Sequence, residues 1–487
     1  MNYSLIRNIL GKIMILIAML MGLPLIVSLI YRESIMNVFA FLIPMILMGL
    51  IGYLFNIKKA KSMRMYAKEG LVIVGLSWLV IALFGALPFV ISGEIPNYID
   101  AFFETASGFT TTGASIVRDV ESLSHSILFW RSFSHWIGGM GVLVFILAII
   151  PESKDGSTLH IMKAESTGPQ VGKLVSKMQV TSRILYLIYL TLTLVQFILL
   201  VIGPDEKMGV FESLIYSLGT AGTGGFGMHA DGLASFAPYT QYVIAIFMII
   251  FGINFSLFYL ILLGNIKEVL KNEELRLFLL IVFVSVVAIA INIYSRCQTL
   301  EEAFRLSLFQ VASIVSTTGY ATTDFALWPA FSQAIIIFLM ICGSCAGSTA
   351  GGVKMSRINI LFKSSKAKVK NSISPRKIEA IKIEGKVIDD KIIEGVLSFF
   401  VVYILMLVLC ILLVSIDGTH GLVENITASL SAISNVGPGL GTVGPMGSFA
   451  NYSAFSKIVL SIVMLAGRLE LFPILVLFNP NTWKKRN

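Results

Sequence analysis

Apolar runs long enough to cross a bilayer as helices recur along nearly the whole chain, separated by short polar links. Two come first, at residues 9–30 and 38–55, and predict a pair of spanning helices. Eight more follow in pairs: 71–91 with 127–150, 184–201 with 242–263, 277–293 with 334–361, and 395–415 with 455–478. Between the members of each pair lies an amphipathic stretch too short to span, at 98–109, 208–219, 302–315 and 422–433. Such a stretch predicts a re-entrant half-helix.

Each half-helix runs into a polar, glycine-centred segment. The first is Thr110-Thr111-Thr112-Gly113-Ala114-Ser115; the others are Ala221-Gly222-Thr223-Gly224-Gly225-Phe226, Ser316-Thr317-Thr318-Gly319-Tyr320 and Ser434-Asn435-Val436-Gly437-Pro438-Gly439. The repeat period is about a hundred residues. Non-helical backbone at membrane depth survives only inside protein or beside a water-filled cavity. Its carbonyls can replace the hydration shell of a cation, and glycine permits the positive φ that aims successive carbonyls at one axis. Half-helices pointing their negative C-terminal ends at the same place favour a cation there. The pattern therefore predicts four helix–loop–helix repeats around one ion pathway.

Two further features stand out. Gly343-Ser344-Cys345-Ala346-Gly347-Ser348-Thr349-Ala350-Gly351-Gly352 interrupts the apolar run after the third loop. So many glycines, each costing about 1 kcal/mol relative to alanine in a helix, predict a break there, a loop below the third filter segment that obstructs the pathway. Arg468 lies in the last apolar run, and an ionisable group at membrane depth marks a functional site. Glu470, two residues on, points away from it on a continuous helix, so the 343–352 loop is the better partner. His125 and His135, flanking Trp130-Arg131, read as interfacial anchors.

Composition agrees: 487 residues, 56% hydrophobic and 13% charged, with mean hydropathy +0.84, describe a polytopic membrane protein. The net charge of +9 raises the question of nucleic acid, but the cations sit in links on one side of the membrane. These are Lys58, Lys59 and Lys61, then Lys163, Lys173 and Lys177, then Lys267 and Lys271, the run 354–391, and Lys484, Lys485 and Arg486. The opposite links, such as Asp417-Gly418-Thr419-His420, hold almost none, which places the basic side and both termini in the cytoplasm and excludes nucleic acid as a partner. Four cysteines make no disulfide framework and five scattered histidines no metal or catalytic cluster, so an enzyme is not expected.

Several of these stretches together resemble the TrkH/TrkG and KtrB superfamily of potassium-uptake proteins. They are Asp100-Ala-Phe-Phe-Glu104 leading into Thr110-Thr-Thr-Gly-Ala, Phe309-Gln-Val-Ala-Ser leading into Ser316-Thr-Thr-Gly-Tyr, Asn435-Val-Gly-Pro-Gly-Leu-Gly, Cys345-Ala-Gly-Ser-Thr and Gly467-Arg-Leu-Glu. The two extra N-terminal helices look like the TrkH/TrkG branch. The resemblance implies an all-α polytopic membrane protein with four non-identical helix–pore-loop–helix repeats around a pseudo-fourfold pore. Residues 1–57 form the extra helices, and the repeats are 58–160, 161–265, 266–375 and 376–487. It implies K+ as the transported ion with no organic cofactor, a homodimer, and a TrkA-like cytosolic nucleotide-binding regulatory subunit, in a bacterial inner membrane. It assigns the filter to Thr111, Thr112 and Gly113; Gly222, Thr223 and Gly224; Thr317, Thr318 and Gly319; and Asn435, Val436 and Gly437. Gating falls to Gly343, Ser344, Cys345, Ala346, Gly347, Ser348, Thr349, Ala350, Gly351, Gly352 and Arg468. Either Gly224 or Gly225 can hold the central place in the second loop. Glycine at the first filter, where sodium-preferring plant relatives have serine, points to potassium. The alternative mechanism is a proton- or sodium-coupled potassium symporter.

Overall fold

The computed structural model describes residues 1–58, 66–141, 178–374 and 380–484. Lys59, Lys61, Lys163, Lys173, Lys177, Lys485 and Arg486, and the end of the first returning helix at 142–150, lie outside the described residues.

Among the described residues, six helical spans are long and apolar enough to cross a membrane: Tyr3–Ile30, Ile35–Ile57, Ala67–Ser92, Ser182–Val201, Glu273–Arg296 and Asp390–Asp417. The first two make the N-terminal pair. They cross where glycine faces glycine, and a methyl on Gly52 would lie 2.6 Å from the Gly11 carbonyl oxygen, the close approach that small residues allow between membrane helices. The other four open the four repeats.

The half-helices are Tyr98–Phe109, Val210–Gly222, Leu300–Val315 and Leu422–Ser434. Each has an acidic residue in its first turn, Asp100, Glu212, Glu301 with Glu302, and Glu424, where the helix dipole favours negative charge. Asn97 and Thr299 cap the first and third through their side-chain oxygens. The C-terminal halves are buried at the centre of the molecule.

All four returning helices stop about halfway; the third does so where the 343–352 glycine run predicts a break, and the other three depart from the expectation of long spans. The four are His125–Gly139, Pro238–Phe251, Ala330–Cys342 and Ala454–Arg468. In the second repeat the chain bends by 92° before Phe255–Leu262. Residues of the third repeat occupy that bend: Cys345 N–H donates to the Gly252 carbonyl and Phe255 N–H to that of Gly347, both at 3.1 Å. In the fourth repeat Glu470 and Leu471 take φ of 56° and 69°, and Leu471 N–H closes on the Ala466 carbonyl at 2.7 Å. Pro473 then starts the short helix Phe472–Phe478. After the third repeat's loop, Met355–Ile373 carries the chain to a two-strand antiparallel hairpin, Lys382–Ile383 with Lys386–Val387.

Candidate functional site

One backbone pattern ends every half-helix. Thr111, Thr223, Thr317 and Asn435 are left-handed, with φ of 55°, 53°, 55° and 55°. The next residue donates its N–H five residues back: Thr112 to Ser107 and Gly224 to Gly219 at 2.9 Å, Thr318 to Ser313 at 2.8 Å, Val436 to Ser431 at 3.0 Å. This closure satisfies the last helical carbonyls. A glycine follows in each case, Gly113, Gly225, Gly319 and Gly437, with φ of 80°, 79°, 87° and 103°. Left-handed threonine costs about 1–2 kcal/mol, a strain of the kind found at functional sites.

The four loops close on one another in order. A methyl group on Gly113 would strike the Gly224 carbonyl oxygen, one on Gly225 that of Thr318, one on Gly319 that of Val436, and one on Gly437 that of Thr112. Each glycine thus abuts the carbonyl of the residue preceding the next loop's glycine, and the fourth returns to the first. A cavity of about 480 Å³ is lined by Gly113, Gly225, Gly319 and Gly437 together. The register of the second loop differs by one residue from the sequence expectation. Thr223, Gly224 and Gly225, not Gly222, Thr223 and Gly224, align with the other three sets, because Gly222 is still the last helical residue. The shared signal was in the sequence as Thr-x-Gly, three times, with Asn-x-Gly as the fourth.

Side chains brace the ring from behind. Glu104 and Arg131, 0% and 3% exposed, pair at 2.9 Å. Glu104 also accepts from Ser115 Oγ at 2.9 Å and Ile116 N–H at 3.0 Å, and Arg131 lies 4.2 Å over the Phe226 ring. His135 is not an interfacial anchor. It is buried, with Nδ1 2.7 Å from the Gly108 carbonyl and Nε2 3.2 Å from the Phe226 N–H. A carbonyl at one nitrogen and a donor at the other fix the neutral tautomer protonated on Nδ1, which ties the first half-helix to the second loop. His125 does sit exposed, stacked 3.9 Å from Tyr31.

Residues 343–352 form a pinched loop. Gly343 and Gly352 are so close that a methyl on Gly352 would lie 2.8 Å from the Gly343 Cα. Ser344 Oγ donates to the Val315 carbonyl at 2.8 Å, and Gly351 N–H to Thr317 Oγ1 at 2.7 Å, so the loop touches the third glycine-centred segment directly. Arg468 donates to the Thr349 carbonyl at 2.5 Å and to those of Gly138 and Gly139 at 2.6 Å, and so joins the loop to the ends of two returning helices. Glu470 pairs with Arg357 at 2.6 Å. Two further groups hold the loop. Glu274 accepts from Ala346 N–H at 2.7 Å and Ser356 N–H at 2.9 Å, and buried Lys354 donates to the Ala350 carbonyl. Their sequence positions, at a helix start and in a basic run, carry no sign of this.

The fold and ring define a polytopic, mostly helical membrane protein of four pore-loop repeats preceded by two extra helices. Residues 33–485 match the TrkH family, described as "Cation transport protein", and the chain belongs to that family. It is 35% identical to the Trk system potassium uptake protein TrkH of Salmonella typhimurium, and 31% identical to TrkG of Escherichia coli, over 99–100% of each chain. The crystal structure of the potassium transporter TrkH from Vibrio parahaemolyticus superposes with a TM-score of 0.89 at 30% identity, covering 99% of this chain and 100% of that one.

Proposed function

We propose that this chain conducts potassium into a bacterial cell through the ring of filter loops, with the 343–352 loop as its gate. The observation that carries the reading is the closed circuit of four glycines, each against the next loop's carbonyl. It sets one backbone pattern around a single axis and gives a dehydrated cation oxygens from four sides. The half-helix C-termini converge there and add negative potential. The gate reading is supported by the bonds from Ser344 and Gly351 to the third loop and by the Arg468 clamp. Potassium as cargo is supported by the names of the relatives. The repeat units 58–160, 161–265, 266–375 and 376–487, an inner-membrane homodimer with cytoplasmic termini, and a cytosolic nucleotide-binding regulator complete the proposal.

The deciding experiment is the reversal potential of the purified protein in a planar bilayer under opposed potassium and sodium gradients, repeated with a proton gradient. The pore reading expects it to follow potassium and ignore pH. A reversal potential that moves with pH establishes proton coupling and sinks a simple pore. Gly113→Ser places a side chain against the Gly224 carbonyl and is expected to weaken discrimination against sodium; unchanged selectivity would count against the filter assignment.

A further inference from the structure

The bond between Gly351 and Thr317 joins the loop to an oxygen at the start of the filter, where ion and gate can act on each other. Thr317 is the left-handed residue of the third loop, and its buried hydroxyl accepts the Gly351 N–H at 2.7 Å. The approach continues onto the fourth loop, since a methyl on Gly351 would strike the Ser434 carbonyl oxygen and lie 3.0 Å from the Asn435 Cβ. The equivalent side chains of the other loops are engaged differently. Thr223 Oγ1 bonds the Gly222 carbonyl at 2.6 Å, and Asn435 Nδ2 bonds Thr112 Oγ1 at 3.0 Å and the Met464 carbonyl at 2.9 Å. Thr111 Oγ1 is fully buried and has no hydrogen-bond partner among the described residues. A buried oxygen without a donor is costly, and at the end of a cation path it is an oxygen left for a cation.

We propose that the permeating cation and the Gly351 N–H compete for the Thr317 hydroxyl oxygen. This inference rests on the pore and gate reading above. A backbone N–H aimed at that oxygen carries partial positive charge and occupies a lone pair, so the closed loop withholds a ligand that Thr111 keeps available. A cation at the inner end of the filter draws on the same oxygen and opposes closure. By linkage the effect is reciprocal: the factor by which closure weakens ion binding is the factor by which the ion weakens closure. Thr317 is in this sense a positioning residue for the gate as well as a ligand for the ion.

Cys345 supplies a native reporter, because its thiol is buried in the closed loop. The full-length protein in lipid nanodiscs is exposed to a small thiol reagent in N-methylglucamine buffer or in potassium buffer of equal ionic strength. Modification at Cys345 is followed by peptide mass spectrometry. Potassium is expected to raise the rate about fivefold, the change in an equilibrium that one neutral hydrogen bond supports. Thr317→Val, which keeps the β-branch but removes the oxygen, is expected to raise the rate without potassium and to abolish the response. Thr317→Ser retains both. A wild-type rate indifferent to potassium overturns the proposal even if the variants fail to fold, and so does a Val variant that keeps the full response. Flux through a variant lacking residues 346–350 separates the two readings. A leak in that variant together with a potassium-independent Cys345 rate leaves the gate standing and removes the competition; absence of a leak removes the gate, and this inference with it.

Discussion

Gly224 and Gly225 differ in what a methyl group would meet. At Gly225 it would strike the Thr318 carbonyl and demand φ of 79°; at Gly224 it would strike the His135 ring, held by bonds at both nitrogens. Alanine at either position is expected to reduce flux and stability, but the causes separate in a double-mutant cycle. Gly224→Ala should cost far less in a His135→Ala background, a coupling on the order of 1–3 kcal/mol in thermal unfolding. Gly225→Ala should show no such relief, since its obstacle is backbone, and equal coupling at both sites would contradict the register of Thr223, Gly224 and Gly225. The Glu104–Arg131 pair is the other residue-scale lever. Glu104→Gln leaves a guanidinium buried beside a neutral amide and should destabilise the protein by on the order of 3–5 kcal/mol. Asp100→Asn, at the more exposed pair with Lys457, should cost clearly less. The glycines and left-handed threonines were legible in the sequence because Thr-x-Gly is a local pattern. The braces were not: Arg131 and His135 work through backbone carbonyls, an amide N–H and a carboxylate 27 to 96 residues away, which no local pattern encodes.

The four half-helices were legible as elements, being amphipathic, too short to span and followed by glycine. Of the halved returning helices only the third was, through the glycine run at 343–352. The bend after Phe251 depends on Cys345 and Gly347 of another repeat, and only Gly252 and Asn254 mark it locally. The break after Arg468 did leave a local trace, Pro473, which starts a new helix better than it continues an old one. Strain and packing oppose each other at this break. Leu471, with φ of 69° and ψ of −51°, is the centre of a strained γ-turn that costs about 1–3 kcal/mol, which glycine would relieve. Its side chain, 1% exposed, is worth more, since removing a buried leucine costs about 2–5 kcal/mol. Leu471→Gly should therefore lower the unfolding temperature despite relieving strain; a rise would mean that the backbone conformation dominates. The third break is the loop proposed above as the gate. Removing residues 346–350 deletes the Thr349 carbonyl that accepts from Arg468 and the Ala350 carbonyl that holds Lys354, and basal potassium flux into proteoliposomes should rise. Loss of flux from a protein that still unfolds cooperatively would mean that the loop conducts rather than blocks.

Across the whole molecule the ring draws on residues from all four repeats and none from the N-terminal pair. Its first residue is Thr111, and the clamp closes at Arg468. The N-terminal pair instead docks on the outside of the first repeat. Glu33 accepts from Ser126 N–H at 3.0 Å and from the Ser126 hydroxyl at the start of His125–Gly139, Tyr31 stacks on His125, and Phe41 meets Trp130 edge-on at 6.3 Å. That returning helix carries Arg131 and His135, two braces of the ring, so the pair steadies the ring only through its scaffold. Removing residues 1–57 should lower the unfolding temperature while leaving the potassium-to-sodium permeability ratio unchanged. Glu33→Gln should fall between, because the carboxylate that caps the helix start contributes about 0.5–2 kcal/mol. A truncated protein that folds but loses selectivity would mean that the bracing of Arg131 and His135 depends on the added helices, and the ring could not be treated as complete within the four repeats.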